Sequence, residues 1–183
     1  MSAGPNGFVD RVHRIDLAVD EWLSSVRSPA MDAVFYGLSS AADHGILWGV
    51  LGAARAARRG DPRFAGRFAA MLAAESALTN VAVKSLFRRV RPSEHFTHSN
   101  PLPYGMRRPI TSSFPSGHAV TAFCAATVLG RGTSAAPLYY GLATLVAASR
   151  VYVRMHHASD VVVGAAIGLA LGHVARRVMS PLP

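Results

Sequence analysis

From residue 31 to residue 175 the sequence alternates long apolar runs with polar, arginine-rich ones. The apolar runs cover 31–57, 66–86, 116–130, 135–151 and 159–175. A helix needs about 20 residues to cross the hydrocarbon core of a bilayer. Backbone polar groups at that depth must be satisfied within the segment, which selects helices. Half of the residues are hydrophobic and 16% are charged, against roughly a quarter charged in a soluble domain. The expectation is an all-α fold: a single membrane domain over 1–183, with a helical bundle at 31–178 and about five crossings. A soluble bundle of buried helices is the rival arrangement. Asp43-His44-Gly45 interrupt the first run and mark a kink or a water-facing cavity. Gly164, Gly168 and Gly172 recur every four residues, a spacing that lets helices approach closely.

The N-terminal part differs. Residues 1–7 read as a tail, and 8–26 as an amphipathic helix. Asp10, Arg11, Arg14, Asp20 and Glu21 make that helix too charged to span a bilayer. Two placements fit it: lying in the membrane interface with Trp22 as an anchor, or packing on the rest of the domain. No continuous apolar stretch of the kind found in a cleavable secretory signal precedes it. Cys124 is the one cysteine, which excludes an intramolecular disulfide.

The net charge is +9, carried by eighteen arginines and the single Lys84. A basic balance admits nucleic acid, anionic lipid or an anionic substrate. Nucleic acid drops out, because the chain has no basic base-reading helix, no aromatic platform and no zinc-ligand spacing. Alternating crossings put Arg55, Arg58, Arg59, Arg63, Arg67, Arg131, Arg176 and Arg177 on one side, which the positive-inside rule makes cytoplasmic. The opposite, extracytoplasmic side of the plasma membrane then carries the loops 87–114 and 150–158. These hold a surplus of arginines of their own, and an anionic ligand accounts for it.

Three clusters fall on that side: Lys84 to Arg91-Pro92; Pro115-Ser116-Gly117-His118, opening an apolar helix; and Ser149-Arg150 with His156 and Asp160, at the head of the last helix. Lys84, Arg91 and Arg150 are cations among apolar helices, costly unless they meet an anion. Guanidinium forks match phosphate oxygens, and a lysine adds a point charge. Ser116 and Gly117 sit where a helix N-terminus directs free N–H groups. His118 and His156 titrate near neutrality in their unperturbed state. Asp160, four residues after His156, is spaced to orient an imidazole so that its other nitrogen attacks, with the second histidine protonating the leaving group. His95 and His98 in the long loop, Glu75 and His173 read as surface or structural residues, and Arg107-Arg108 as a surface pair able to meet an anionic headgroup.

The pattern Lys-x6-Arg-Pro, Pro-Ser-Gly-His, Ser-Arg-x5-His-x3-Asp resembles the three-part signature of the type-2 phosphatidic-acid phosphatase superfamily, at Lys84, Arg91, Pro92, Pro115, Ser116, Gly117, His118, Ser149, Arg150, His156 and Asp160. The resemblance implies a helical-bundle hydrolase acting through a phosphohistidine, without metal or other cofactor. It implies His156 as nucleophile, Asp160 as its orienting partner and His118 as the acid that later activates water. Lys84, Arg91, Ser116, Gly117 and Arg150 would bind phosphate. Many membrane members have six crossings; here the charged helix 8–26 stands in place of the first. The implied substrate is a lipid phosphate in the bilayer. A polyprenyl-linked phosphate is favoured over phosphatidic acid or phosphatidylglycerol phosphate. A vanadium haloperoxidase-like enzyme and a non-catalytic lipid-binding membrane protein are the remaining alternatives.

Overall fold

The computed structural model describes residues 7–92 and 111–179. Glu94, His95, His98, Arg107 and Arg108 lie outside the described residues. Within them the elements are helical: α1 (Phe8–Ser25), α2 (Pro29–Ala41), α3 (Ile46–Arg59), α4 (Pro62–Ala77), α5 (Gly117–Leu129), α6 (Ala136–Tyr152) and α7 (Ala158–Val178).

Local chemistry sets the boundaries. Ser28 caps α2 by accepting from the Met31 N–H at 3.3 Å, with Pro29 as first helical residue. Asp61 does the same for α4 through Phe64 N–H at 3.0 Å, ahead of Pro62. A side-chain oxygen at this position satisfies one of the orphan donors of the first turn, and proline there loses no needed N–H. Gly60 ends α3 with φ +63°, the left-handed conformation that glycine adopts without a Cβ penalty. The polar interruption at 43–45 is a 3₁₀ turn with His44 at φ 54° and Gly45 at φ 73°. It splits the apolar run 31–57 into helices of 13 and 14 residues. A π turn over Leu78–Val83 closes α4 and leads into Lys84. Such turns insert one residue into the helical register and rotate the side chains beyond them to a new face.

These breaks bear on the expected crossings. Among the described residues one helix, α7 with 21 residues, is long and apolar enough to cross a membrane. The helix α5 is apolar but has 13 residues. The runs 31–57 and 66–86 are divided by the kink and the π turn, and α6 has 17 residues.

At the centre stands α5, most of its residues buried. Trp48 from α3, Phe68 from α4, Ala122, Ala125 and Leu129 from α5 and Val146 from α6 form the main core. The α5–α7 contact is the closest. A Cβ built at Gly164 would lie 2.7 Å from Ser116 O, one at Gly168 2.4 Å from Val120 O, and one at Gly172 2.6 Å from Thr127 Cβ. The glycine stripe therefore sets α7 directly against the backbone of α5. At the other end of the bundle, Arg55 donates to the carbonyls of Leu129 and Arg131, and Arg131 to that of Arg176. A cation on the last carbonyls of a helix opposes its dipole.

The helix α1 is inverted relative to a soluble amphipathic helix. Its buried residues are Asp16 and Asp20, while Phe8, Val9, Ile15 and Trp22 are exposed. Asp16 accepts from the Ser159 N–H at 2.9 Å and from the Ser159 hydroxyl at 2.7 Å, at the head of α7. Neither oxygen of Asp20 has a hydrogen-bond partner among the described residues, and His157 Nδ1 lies 3.8 Å away. Burial, with Asp16 and Asp160 nearby and Arg154 opposing, pushes the Asp20 carboxyl up to about 6.

Two outcomes are expected for stability. Gly168→Ala forces a methyl into the Val120 carbonyl and should cost about 1–3 kcal/mol, as overpacked cores do. Gly141→Ala, whose Cβ would meet nothing within 4 Å, should leave stability unchanged or raise it by up to about 1 kcal/mol. Thermal unfolding in detergent separates them. For Asp20 the folded-state value is raised, so its contribution is fully present below pH 4 and is lost as pH rises through about 6. Asp20→Asn should therefore raise the melting temperature more at pH 7.5 than at pH 4.5; equal effects at both would refute the assignment.

Candidate active site

The three clusters meet at the head of α5 and α7. Lys84, Arg91, Gly117, His118, Arg150 and His156 line one cavity of about 1100 Å³. Ser116 and Asp160 lie behind its wall, joined by the Ser116 N–H donating to Asp160 O at 3.1 Å.

Each cation is positioned by its own element. Lys84 comes directly after the π turn and is 8% exposed. Arg91 is 2% exposed. It donates to Met155 O at 2.7 Å, Thr111 O at 3.1 Å and Ser112 O at 3.2 Å, which locks its fork, and one of its nitrogens is 3.5 Å from His156 Nε2. Arg150, in the last turn of α6, donates to Ser39 Oγ and lies 4.0 Å from Asp43 Oδ1. Gly117 lets the start of α5 come close to Lys84: a Cβ there would lie 3.1 Å from Asn80 Oδ1 and 3.6 Å from Lys84 Nζ. The Ser116 hydroxyl is buried and has no hydrogen-bond partner among the described residues. A buried hydroxyl left unmet is costly, and it sits beside the free N–H groups of the first turn of α5, where an anion is favoured.

The two histidines are held differently. His156 Nδ1 donates to Ser113 O at 2.6 Å. A carbonyl only accepts, so the proton resides on Nδ1 and the Nε2 lone pair faces the cavity, with an Arg91 N–H 3.5 Å away. Burial, reinforced by Arg150 and Arg91 and opposed by Asp160, holds this imidazole down to about 3, so it is neutral at physiological pH. Asp160 Oδ2 is 3.7 Å from His156 Nδ1 and accepts from the His157 N–H at 2.9 Å. Its other oxygen accepts from Arg89. The neighbouring His157 is turned away: its Nε2 is 3.2 Å from Val90 O. His118 Nε2 is 2.8 Å from Asp43 Oδ1, in the kink between α2 and α3.

Asp43 and the Ser113 carbonyl are partners that the motif pattern does not name. Asp43 carried a signal, a carboxylate inside an apolar run. A backbone carbonyl carries none. Glu75 accepts from Thr79 at 3.0 Å and Thr121 at 2.7 Å, in keeping with its structural reading.

Away from the polar end, the cavity runs along one face of α4 through Ala77, Ala73, Ala69 and Ala65, opposite Ile46, Gly49 and Ala53 of α3. The twelve-residue rise from Ala65 to Ala77 spans about 18 Å at 1.5 Å per residue. The cavity thus joins a cationic cup with two imidazoles to a long, narrow apolar groove. Such a cup can hold a tetrahedral oxyanion, and such a groove a hydrocarbon chain.

Solved structures share the helical fold, and sequence comparison gives the family. The PAP2 superfamily model matches residues 64–182. Decaprenylphosphoryl-5-phosphoribose phosphatase of Mycobacterium tuberculosis is 34% identical over 170 residues, covering 90% of this chain and 91% of that protein. The crystal structure of a transmembrane PAP2-type phosphatidylglycerolphosphate phosphatase from Bacillus subtilis superposes with a TM-score of 0.73 at 23% identity, over 95% of this chain and 90% of that one. That of Aquifex aeolicus LpxE gives 0.69 at 24% identity, over 89% and 95%. With a family model covering most of its length and a relative matched nearly end to end, this chain belongs to the PAP2 superfamily.

Proposed function

We propose that the protein is a multi-pass plasma-membrane phosphatase that hydrolyses the terminal phosphate of a polyprenyl-linked lipid through a phosphohistidine on His156, with its site on the extracytoplasmic side. The observation that carries this is the cavity in which a cationic cup opens into an apolar groove about 18 Å long between α3 and α4. The 34% identical relative named for decaprenylphosphoryl-5-phosphoribose supports the prenyl class over a glycerolipid.

In the proposed reaction, Lys84, Arg91, Arg150, the Ser116 hydroxyl and the Gly117 N–H hold the phosphoryl oxygens. His156 Nε2 attacks phosphorus, the bond to the leaving oxygen breaks, and His118 gives that oxygen a proton. His118 then takes a proton from water as the water oxygen attacks the phosphohistidine, releasing inorganic phosphate and restoring neutral His156. Transferring phosphoryl groups carry charge on their equatorial oxygens, and preorganised donors in a water-poor site stabilise that charge. Three cations supply here what a divalent metal supplies elsewhere, so the reaction proceeds in EDTA.

Phosphate release by purified protein in detergent with EDTA is the test. The panel comprises phosphatidic acid, phosphatidylglycerol phosphate, a prenyl pyrophosphate and a prenyl-linked sugar phosphate. The prenyl-linked sugar phosphate should turn over fastest. His156→Ala should lower kcat by a factor of about 10⁴ or more, as loss of a nucleophile does, and abolish the base-stable, acid-labile phosphoenzyme. Activity surviving that change, or requiring metal, would refute the mechanism.

The groove makes a separate prediction. Ala73→Trp narrows it without touching the phosphate cup. It should raise KM for a long prenyl substrate by about tenfold, the scale of hydrophobic-pocket discrimination, and leave a short water-soluble phosphate ester unaffected. Equal effects on both would show that the chain does not lie there.

A further inference from the structure

Behind the nucleophile, a line of charges runs out of the cavity to the N-terminal helix. Arg89 donates through one nitrogen to Asp160 Oδ1 and to Ser159 Oγ, the latter at 2.7 Å. Through the other it donates to Asp16 Oδ2 at 2.6 Å. Asp16 also accepts both bonds from Ser159. The Asp16 and Asp160 side chains have 0% exposure and share this one guanidinium, which is 27% exposed. None of Asp16, Arg89 and Ser159 lines the cavity, so none of them meets the substrate phosphate.

We infer that Asp16 is a positioning residue for phosphoryl transfer, acting through Arg89 on Asp160. This rests on the proposed roles of His156 and Asp160. Two buried carboxylates divide one guanidinium, and each limits the hold of the other. Asp160 Oδ1 faces Arg89 while Oδ2 faces the His157 N–H and, at 3.7 Å, His156 Nδ1. When phosphorus bonds to Nε2 the imidazole becomes cationic, and Asp160 must close on Nδ1 to balance it. Asp16 anchors the far end of Arg89 and thereby fixes where Asp160 stands. Without its charge, Arg89 has one carboxylate left and draws Asp160 towards itself, away from the imidazole. Ser159, in the first turn of α7, ties the same three groups to the helix that carries Asp160.

The inside-out character of α1 fits this role. A helix whose apolar residues Phe8, Ile15 and Trp22 are exposed and whose carboxylates are buried docks on the bundle by ion pairing. The cost of burying Asp16 is offset by three hydrogen bonds, one of them charge-assisted.

Single-turnover phosphoenzyme formation in the full-length protein decides the matter. Its rate constant reports positioning; its amplitude reports the fraction folded. Asp16→Asn should lower the rate constant about tenfold, the lower end of the range for outer-shell partners, with KM within about twofold because the phosphate cup is untouched. In an Arg89→Gln background, Asp16→Asn should add nothing further, since the two act in one line. Ser159→Ala removes no charge and should lower the rate constant about threefold even if Asp16→Asn fails to fold. Asp10→Asn, on the exposed side of the same helix, should match the wild type. A wild-type rate constant in Asp16→Asn or Ser159→Ala overturns the inference, as does an undiminished Asp16→Asn effect in the Arg89→Gln background. These results stand apart from failure of the nucleophile assignment, in which His156→Ala would still form a phosphoenzyme.

Discussion

Everything at the functional end of the molecule depends on burying Lys84, Arg91 and Arg150 in one cavity wall beside a histidine held neutral. Like charges brought together in a low dielectric repel and pay heavily for lost hydration. The fold answers with backbone carbonyls on Arg91, with Ser39 and Asp43 near Arg150, and with a buried hydroxyl at Ser116 left unmet among the described residues. A site so arranged favours an anion that brings several oxygens at once. Phosphate fits because its geometry matches both the fork of an arginine and the diverging N–H groups of a helix end.

That cavity exists because α5 and α7 lie almost in backbone contact. Gly164 brings the head of α7 against Ser116 O, so the Ser116-Gly117-His118 turn and Asp160 are fixed to one another by a direct backbone bond. Any side chain in the stripe would separate the two motifs by the width of a methyl group or more. Catalytic constellations tolerate little displacement. The glycines are thus as much a part of the site as the groups that face the cavity, although none of the three touches it.

Much of this was legible in the sequence, and the portion that was not has a physical cause. The helical pattern, the kink at Asp43-His44-Gly45 and the cation–histidine clusters are local features, readable from period, breaker residues and spacing. The i,i+4 spacing of His156 and Asp160 suggested a direct bond. Instead α7 begins at Ala158, so His156 precedes the helix and Nδ1 finds the Ser113 carbonyl, with Asp160 at 3.7 Å. Asp43 meets His118 across 75 residues of sequence, and no periodicity reports such a pairing. For α1 the pattern announced two faces but not which would be covered. Arg89 and Ser159, distant in sequence, meet Asp16 on the covered face and leave Phe8, Ile15 and Trp22 outward.

The unlike partners of the two imidazoles carry the last step. A histidine hydrogen-bonded to a carbonyl gains nothing by being charged, and among buried cations it loses a great deal; that describes His156. A histidine bonded to a carboxylate is favoured as the cation by that partner, while burial and the neighbouring Arg150 oppose it; that describes His118 beside Asp43. The proposed reaction needs one neutral nitrogen to attack phosphorus and one protonated nitrogen to meet the departing oxygen; the unlike partners suit His156 to the first role, and the charge of an incoming anion would favour the proton on His118 for the second. Exchanging them would require a buried imidazolium against Arg91 on one side and would leave Asp43 with the more distant Arg150 in place of its imidazolium on the other. The geometry opposes both.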